Sequence, residues 1–132
     1  MTYFLDANIL SYIIKQIPSV TSNLRELIVS GNIIKIPVVA FYEVKRGLLA
    51  VNSKKRMSVF EAQVEAFGLV QMADSTFTMA AEIYAELRRT GNVIEDDDLF
   101  IGCSALENDA VLLTNNARHL SRIPNLMIKV LN

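Results

Sequence analysis

Five short apolar runs punctuate this 132-residue chain, "TYFLD", "NIIKIP", "GLVQM", "AVLLTNN" and "LMIKVLN", and longer segments with apolar residues at helical spacing separate them. Runs of that length suit strands, while repeats at i, i+3 and i+4 suit helices. Alternation of the two requires crossover connections, so the expected fold is α/β, a mostly parallel central sheet with helices on both faces. "NILSYIIK" is the first helix. "SVTSNLRELIVSG" is the second, with Pro18 and Ser19 as start signals and Gly31 as its C-cap, and Pro37 stops the second strand. "VVAFYEVKRGLLAV", "SVFEAQVEAF", "STFTMAAEIYAELRRTG" and "LFIGCSALEND" follow as helices; Phe77, Ala80, Ala81, Tyr84 and Leu87 form one apolar stripe. There is no linker or repeat, so one domain over residues 1–132 is expected, and a 52% hydrophobic content supplies its core.

Several function classes drop out. No apolar stretch reaches the roughly eighteen residues of a membrane span, and "MTYFLDANIL" has an acid at position 6 and no basic leader, so the chain is expected to be cytoplasmic. Cys103 is the single cysteine and His119 the single histidine, so neither a disulfide nor a zinc site of the usual composition can form within one chain. A serine or thiol nucleophile would depend on His119 alone. Thirteen Lys and Arg against 14 Asp and Glu give a net charge of −1, so bulk charge announces no nucleic-acid partner. Local basic patches exist at Lys45 and Arg46, at Lys54, Lys55 and Arg56, and at Arg88 and Arg89.

Ligands of open α/β sheets bind beyond the carboxyl ends of the strands. Asp6 ends the first strand, Thr114, Asn115 and Asn116 end the "AVLL" strand, and Glu43 lies shortly after the second. Before "LFIG" stands the run Glu95, Asp96, Asp97, Asp98. Acids suit the first turn of a helix, where the macrodipole and free N–H groups favour negative charge. The run can also converge with Asp6, Glu43 and Asn116 at one sheet edge. Hard oxygen donors of this kind suit Mg²⁺ or Mn²⁺, which keep several waters, bridge to phosphate oxygens and activate a water.

Together "YFLDANILSYI", "VVAFYEVKRG", "GNVIEDDDLFIGCSAL" and "VLLTNNARHLSRIPNL" resemble the PIN-domain ribonucleases, and most of all the VapC toxins of toxin–antitoxin pairs. The resemblance spans nearly the whole chain and implies a three-layer PIN-like fold. Each motif alone is weak; four in this order are strong. The order also excludes phosphatases of the haloacid-dehalogenase type, whose second acid would fall on Asn8 and whose paired acids follow the Thr motif instead of preceding it. A receiver-type phosphoacceptor domain is excluded by the missing acidic pair beside the first strand. Carried over position by position, the resemblance assigns Asp6 and Asp98 as metal ligands, Glu43 as a ligand or as the group that deprotonates the attacking water, and Asn116 as a residue acting through a water. Asn8, Asp96 and Thr114 support them. The chain departs from the family pattern at Ala7, at Glu95, at Gly102, Cys103 and Ser104, and in the neutral Asn116.

Helix geometry bears on the acidic run. Asp98, Ile101, Gly102 and Ala105 share one stripe, so Asp98 should face inward, while Asp97 and Glu95 are expected to be mostly exposed and Asp96 to cap the helix or support the site. The resemblance implies an Mg²⁺- or Mn²⁺-dependent endoribonuclease acting on RNA such as tRNA or rRNA, a small antitoxin as partner, and a homodimer. Ile13, Ile14, Leu48 and Leu49 are the expected apolar docking residues for that antitoxin. A PIN nuclease of RNA maturation or DNA flap processing, and a PIN-like module that binds RNA or a partner without cutting, are the other readings.

Overall fold

The computed structural model describes residues 1–131 of the chain. Its elements in order are β1 (Thr2–Leu5), α1 (Ala7–Ile14), α2 (Pro18–Val29), β2 (Ile33–Pro37), α3 (Val38–Val51), α4 (Lys54–Phe67), β3 (Leu69–Val70), α5 (Asp74–Arg89), α6 (Asp96–Glu107), β4 (Val111–Thr114), α7 (Ala117–Leu120) and β5 (Ile128–Val130). The strands form one sheet in the order β3-β2-β1-β4-β5, and every pairing is parallel. Chain order therefore reverses between β1 and β4, which pair Tyr3 with Val111, Phe4 with Leu112 and Leu5 with Leu113.

Successive strand residues face opposite sides of a sheet. Phe4 and Leu5 are both buried, as are Val111, Leu112, Leu113 and Thr114, so the central strands are covered on both faces. That is the expected three-layer arrangement, and it explains why these runs are continuously apolar instead of alternating. Leu5, Leu112, Leu113, Ile36 and Ile101 are fully enclosed, each contributing about 1.5–3 kcal/mol by leaving water.

Local signals set the helix ends. Pro18 occupies the first turn of α2 without a donor to lose, and Gly31 just beyond it takes φ 88°, a region that costs a residue with a Cβ. Ser53 caps α4 through the amide of Arg56, so the basic "KKR" stretch belongs to the helix, which begins four residues before "SVFEAQVEAF". β4 stops at Thr114, before the two asparagines of "AVLLTNN", and Ala117–Leu120 after them form the single turn of α7. "GLVQM" reduces to the two residues of β3.

Two surfaces depart from the sequence reading. Ile13, Ile14 and Leu48 are buried in the core, leaving Leu49 as the one exposed member of the expected docking quartet. On α5, Ala80 and Leu87 are buried while Phe77 stays 50% and Tyr84 36% exposed, with the Phe77 ring set edge-on against Phe100. A helical stripe turns inward only where a neighbour covers it. Among the described residues, no helix is long and apolar enough to cross a membrane.

Two helical glycines sit in opposite surroundings. A Cβ at Gly102 in α6 would lie 2.3 Å from Ile123 Cδ1, so the missing side chain lets α6 approach the segment after α7. A Cβ at Gly47, inside α3, would meet nothing within 4 Å. Gly47→Ala should therefore raise stability by about 0.5–1 kcal/mol through helix propensity, whereas Gly102→Val should lower it by about 2 kcal/mol through overpacking. Urea denaturation measures both, and shifts of the same sign would contradict this packing.

Candidate metal and nuclease site

The site is built where β1 and β4 end. Asp6 follows β1 directly and caps α1, its Oδ1 accepting from the Ala7 amide at 2.8 Å. Its Oδ2 accepts from the Thr114 hydroxyl at 2.6 Å and from the Asn8 amide at 3.2 Å, so the last residue of β4 clasps the first residue after β1. Burial at 2% exposure pushes the Asp6 carboxyl above its ordinary range, and these three donors oppose the shift. Thr114 Oγ1 in turn accepts from the Asn116 amide at 2.9 Å, and Asn8 Oδ1 from the Asn115 amide at 3.3 Å.

Asn116 reaches from this loop to α6, its side-chain amide donating to Asp98 Oδ2 at 3.3 Å. Its carbonyl oxygen faces His119 Nδ1 at 2.9 Å. Because the amide nitrogen donates to Asp98, this oxygen faces the ring and the ring nitrogen donates to it. Asp98 is half-buried as its stripe implied, and its carboxyl is pushed up to about 6, first by burial and then by the charges of Asp6, Asp97 and Glu95.

Glu43 arrives on α3, which also presents Tyr42 and Arg46 to solvent. The Arg46 guanidinium lies over the Tyr42 ring, 5.1 Å from its centre, and makes no ion pair with Glu43. Glu43 Oε1 is buried without a hydrogen-bond partner. Its carboxyl is pushed up to about 7 by burial first, then by Asp97, which stands within hydrogen-bonding reach, and by Asp6 and Asp98. Two ionised carboxylates hold no proton to share, so Oε1 is orphaned when both are charged. A proton on Glu43 removes one of the two like charges, which adds to the rise that burial begins.

The acidic run thus resolves differently from its sequence reading. Glu95 takes the N-cap position without a side-chain bond, and Asp96 neither caps α6 nor joins the site; it is exposed, beside Phe77, Tyr84 and Phe100. Asp97 is half-buried: its Oδ1 accepts from the Asp98 amide at 3.0 Å, and its charge acts on Asp6, Glu43 and Asp98. Asp97 shares its face of α6 with Phe100, Ile101, Ser104 and Asn108; Ser104 is 1% exposed and Asn108 lies at the exposed end. The face is therefore covered over its first turns, which turns Asp97 part-way inward.

All the converging donors are oxygens, the set a hard divalent cation prefers. Among the described residues, no three carboxylate, imidazole or thiol groups close into a ready-made cage. An ion here would keep several waters, as Mg²⁺ ordinarily does. The orphaned Oε1 of Glu43, the like charges around it and the donor chemistry fit such an ion at an open crevice.

A family model described as "PIN domain" matches residues 3–126. Ribonuclease VapC2 of Rickettsia felis is 32% identical over 98% of this chain and 97% of its own length. The solved VapBC2 complex of Rickettsia felis bound to a DNA fragment from its promoter superposes with a TM-score of 0.89 at 29% identity, covering 100% of both chains. The DNA-bound VapBC of Salmonella typhimurium gives a TM-score of 0.84 at 25% identity, covering 98% of both chains. Matched from β1 to the loop before β5, with an architecture shared with the solved VapBC structures and a relative similar over its full length, this chain belongs to the PIN domain family and, within it, to the VapC proteins.

Proposed function

We propose that this chain is a metal-dependent endoribonuclease, the toxin of a toxin–antitoxin pair, which hydrolyses an RNA phosphodiester, with tRNA or rRNA as its substrate. The observation that carries the reading is the half-buried Glu43, unpaired among Asp6, Asp97 and Asp98. Like charges held together against solvent need a cation or a proton, and a fold gains nothing structural from the arrangement. The relative in Rickettsia felis carries the name ribonuclease, and the similar solved structures are complexes of a VapC with its VapB.

Asp6 and Asp98 would hold Mg²⁺ or Mn²⁺, with Glu43 completing the site. When bound, the ion supplies Lewis acidity and neutralises charge that builds on the phosphate. The chain's own residues do the rest. Thr114, Asn8 and the Ala7 amide fix Asp6, so its oxygens do not swing when charge changes nearby. Asn116, oriented by His119, holds Asp98. Glu43 is pushed up to about 7 without an ion; an ion at the site would draw it below that, leaving an ionised carboxylate to accept a proton from the attacking water at neutral pH. An antitoxin from a neighbouring reading frame would cover this crevice with a cationic side chain, whose charge-assisted hydrogen bonds compete with the ion.

Asp98→Asn should reduce RNA cleavage at least about a hundredfold with the fold intact, and expression of wild-type protein alone should arrest growth while this variant does not. Asp97→Asn gives Glu43 a hydrogen-bond donor in place of a like charge, so the acid limb of its pH–rate profile should move to lower pH. Co-expression with the neighbouring antitoxin should restore growth, and the two proteins should co-purify. Harmless accumulation of soluble wild-type protein, or equal loss in both variants, would contradict the assignment.

The raised carboxyls also set a stability profile. Glu43 and Asp98 bind their protons more tightly folded than unfolded, so their contribution is fully present below the unfolded values, near 4, and is lost as pH rises through about 6 and 7. The melting temperature of metal-free protein should therefore fall between about pH 5 and about pH 7.5. Millimolar Mg²⁺ should raise it more at the higher pH, by mass action on the folded state. A gain equal at both pH values, or retained in Asp98→Asn, would place the ion elsewhere.

A further inference from the structure

Beside the carboxylates, a cleft of ≈ 230 Å³ opens between α1, α3 and α4, lined by Ser11, Lys15, Glu43, Gly47, Val51 and Arg56, among others. Its two cations come from separate stretches of sequence, Lys15 at the end of α1 and Arg56 in the first turn of α4, and α3 contributes Gly47 to the same cleft. Among the described residues the single ion pair is Arg89 with Glu86, so Lys15 and Arg56 are both unpaired. Gly47 is the odd member. A glycine inside a 14-residue helix weakens it relative to alanine, and no close approach within the chain accounts for it, since its Cβ would point into open space. Something outside the chain is therefore the natural neighbour of that bare backbone.

The charge pattern says what. A polyanion meeting Asp6, Glu43, Asp97 and Asp98 is repelled unless cations flank them, and at the start of α6 the neighbouring charge is Glu95, which acts on Asp98. The α1–α3–α4 cleft shares Glu43 with the crevice and carries the positive charge. Its volume suits a sugar and phosphate. We propose that this cleft is a docking subsite for single-stranded RNA adjoining the scissile bond, with Lys15 and Arg56 on its phosphates and Gly47 leaving room for the strand to lie against α3. The subsite rests on the ribonuclease reading above.

The test uses the full chain and a short fluorescent single-stranded RNA. In the double variant Lys15→Gln, Arg56→Gln, both positions exposed, KM for its cleavage should rise on the order of tenfold with kcat within about twofold. The slope of log affinity against log salt should shrink by about 0.7 for each cation removed. Gly47→Leu should keep or raise the melting temperature, because leucine favours helix, and yet raise KM similarly. Wild-type KM and salt slope in both variants would overturn the proposal. So would variants that lose only the antitoxin, which would assign the cleft to a protein partner. The binding arm needs no cleavage: wild-type protein that binds the RNA through these cations but never cuts it overturns the ribonuclease reading and leaves the subsite standing.

Discussion

A carboxylate buried at the end of a central strand must find hydrogen-bond donors, and Asp6 finds them on two sides of the sheet's reversal point. The Ala7 amide ties it to the start of α1, and the Thr114 hydroxyl ties it to the end of β4. This arrangement joins β1, α1 and β4 where their order reverses, and the rest of the site inherits its geometry. Asn116 is placed by Thr114 Oγ1, and Asp98 is held by Asn116. Removing one donor would leave Asp6 charged and under-satisfied in the core, a penalty of about 1–3 kcal/mol, comparable with burying a leucine side chain.

Against that well-satisfied acid stands an unsatisfied neighbour. Glu43 and Asp97 face each other with no cationic side chain between them, Arg46 having turned onto Tyr42. The N-terminus of α6 supplies only a partial positive charge to its acidic first turn. The crevice is thus organised around a missing positive charge, which a proton, a divalent cation or a partner's side chain can supply in competition. In this account one electrostatic deficit underlies metal binding, the neutral-range pKa of Glu43, and inhibition by an antitoxin.

Much of this was legible in the sequence. Continuously apolar runs announced strands covered on both faces, and the order of the motifs brought Asp6, Glu43, Asp98 and Asn116 to one edge. Periodicity placed Asp98 inward because Ile101, Gly102 and Ala105 are unambiguous core residues. It misplaced Asp97, since α6 is buried around most of its circumference. Ile13 and Ile14 looked free for a partner because no local pattern shows that neighbouring helices already cover them. The His119 contact to Asn116 spans three residues within one turn of α7, a helix too short to leave a period.

Glu43 carries a proton about half of the time at neutral pH until a cation displaces it. A carbon-detected NMR titration of its side-chain carboxyl, in metal-free protein and again with saturating Mg²⁺, measures this directly. The midpoint should lie near 7 without metal and fall well below that value with it. An ordinary carboxylate midpoint in metal-free protein, or a raised one that Mg²⁺ leaves in place, would contradict the account.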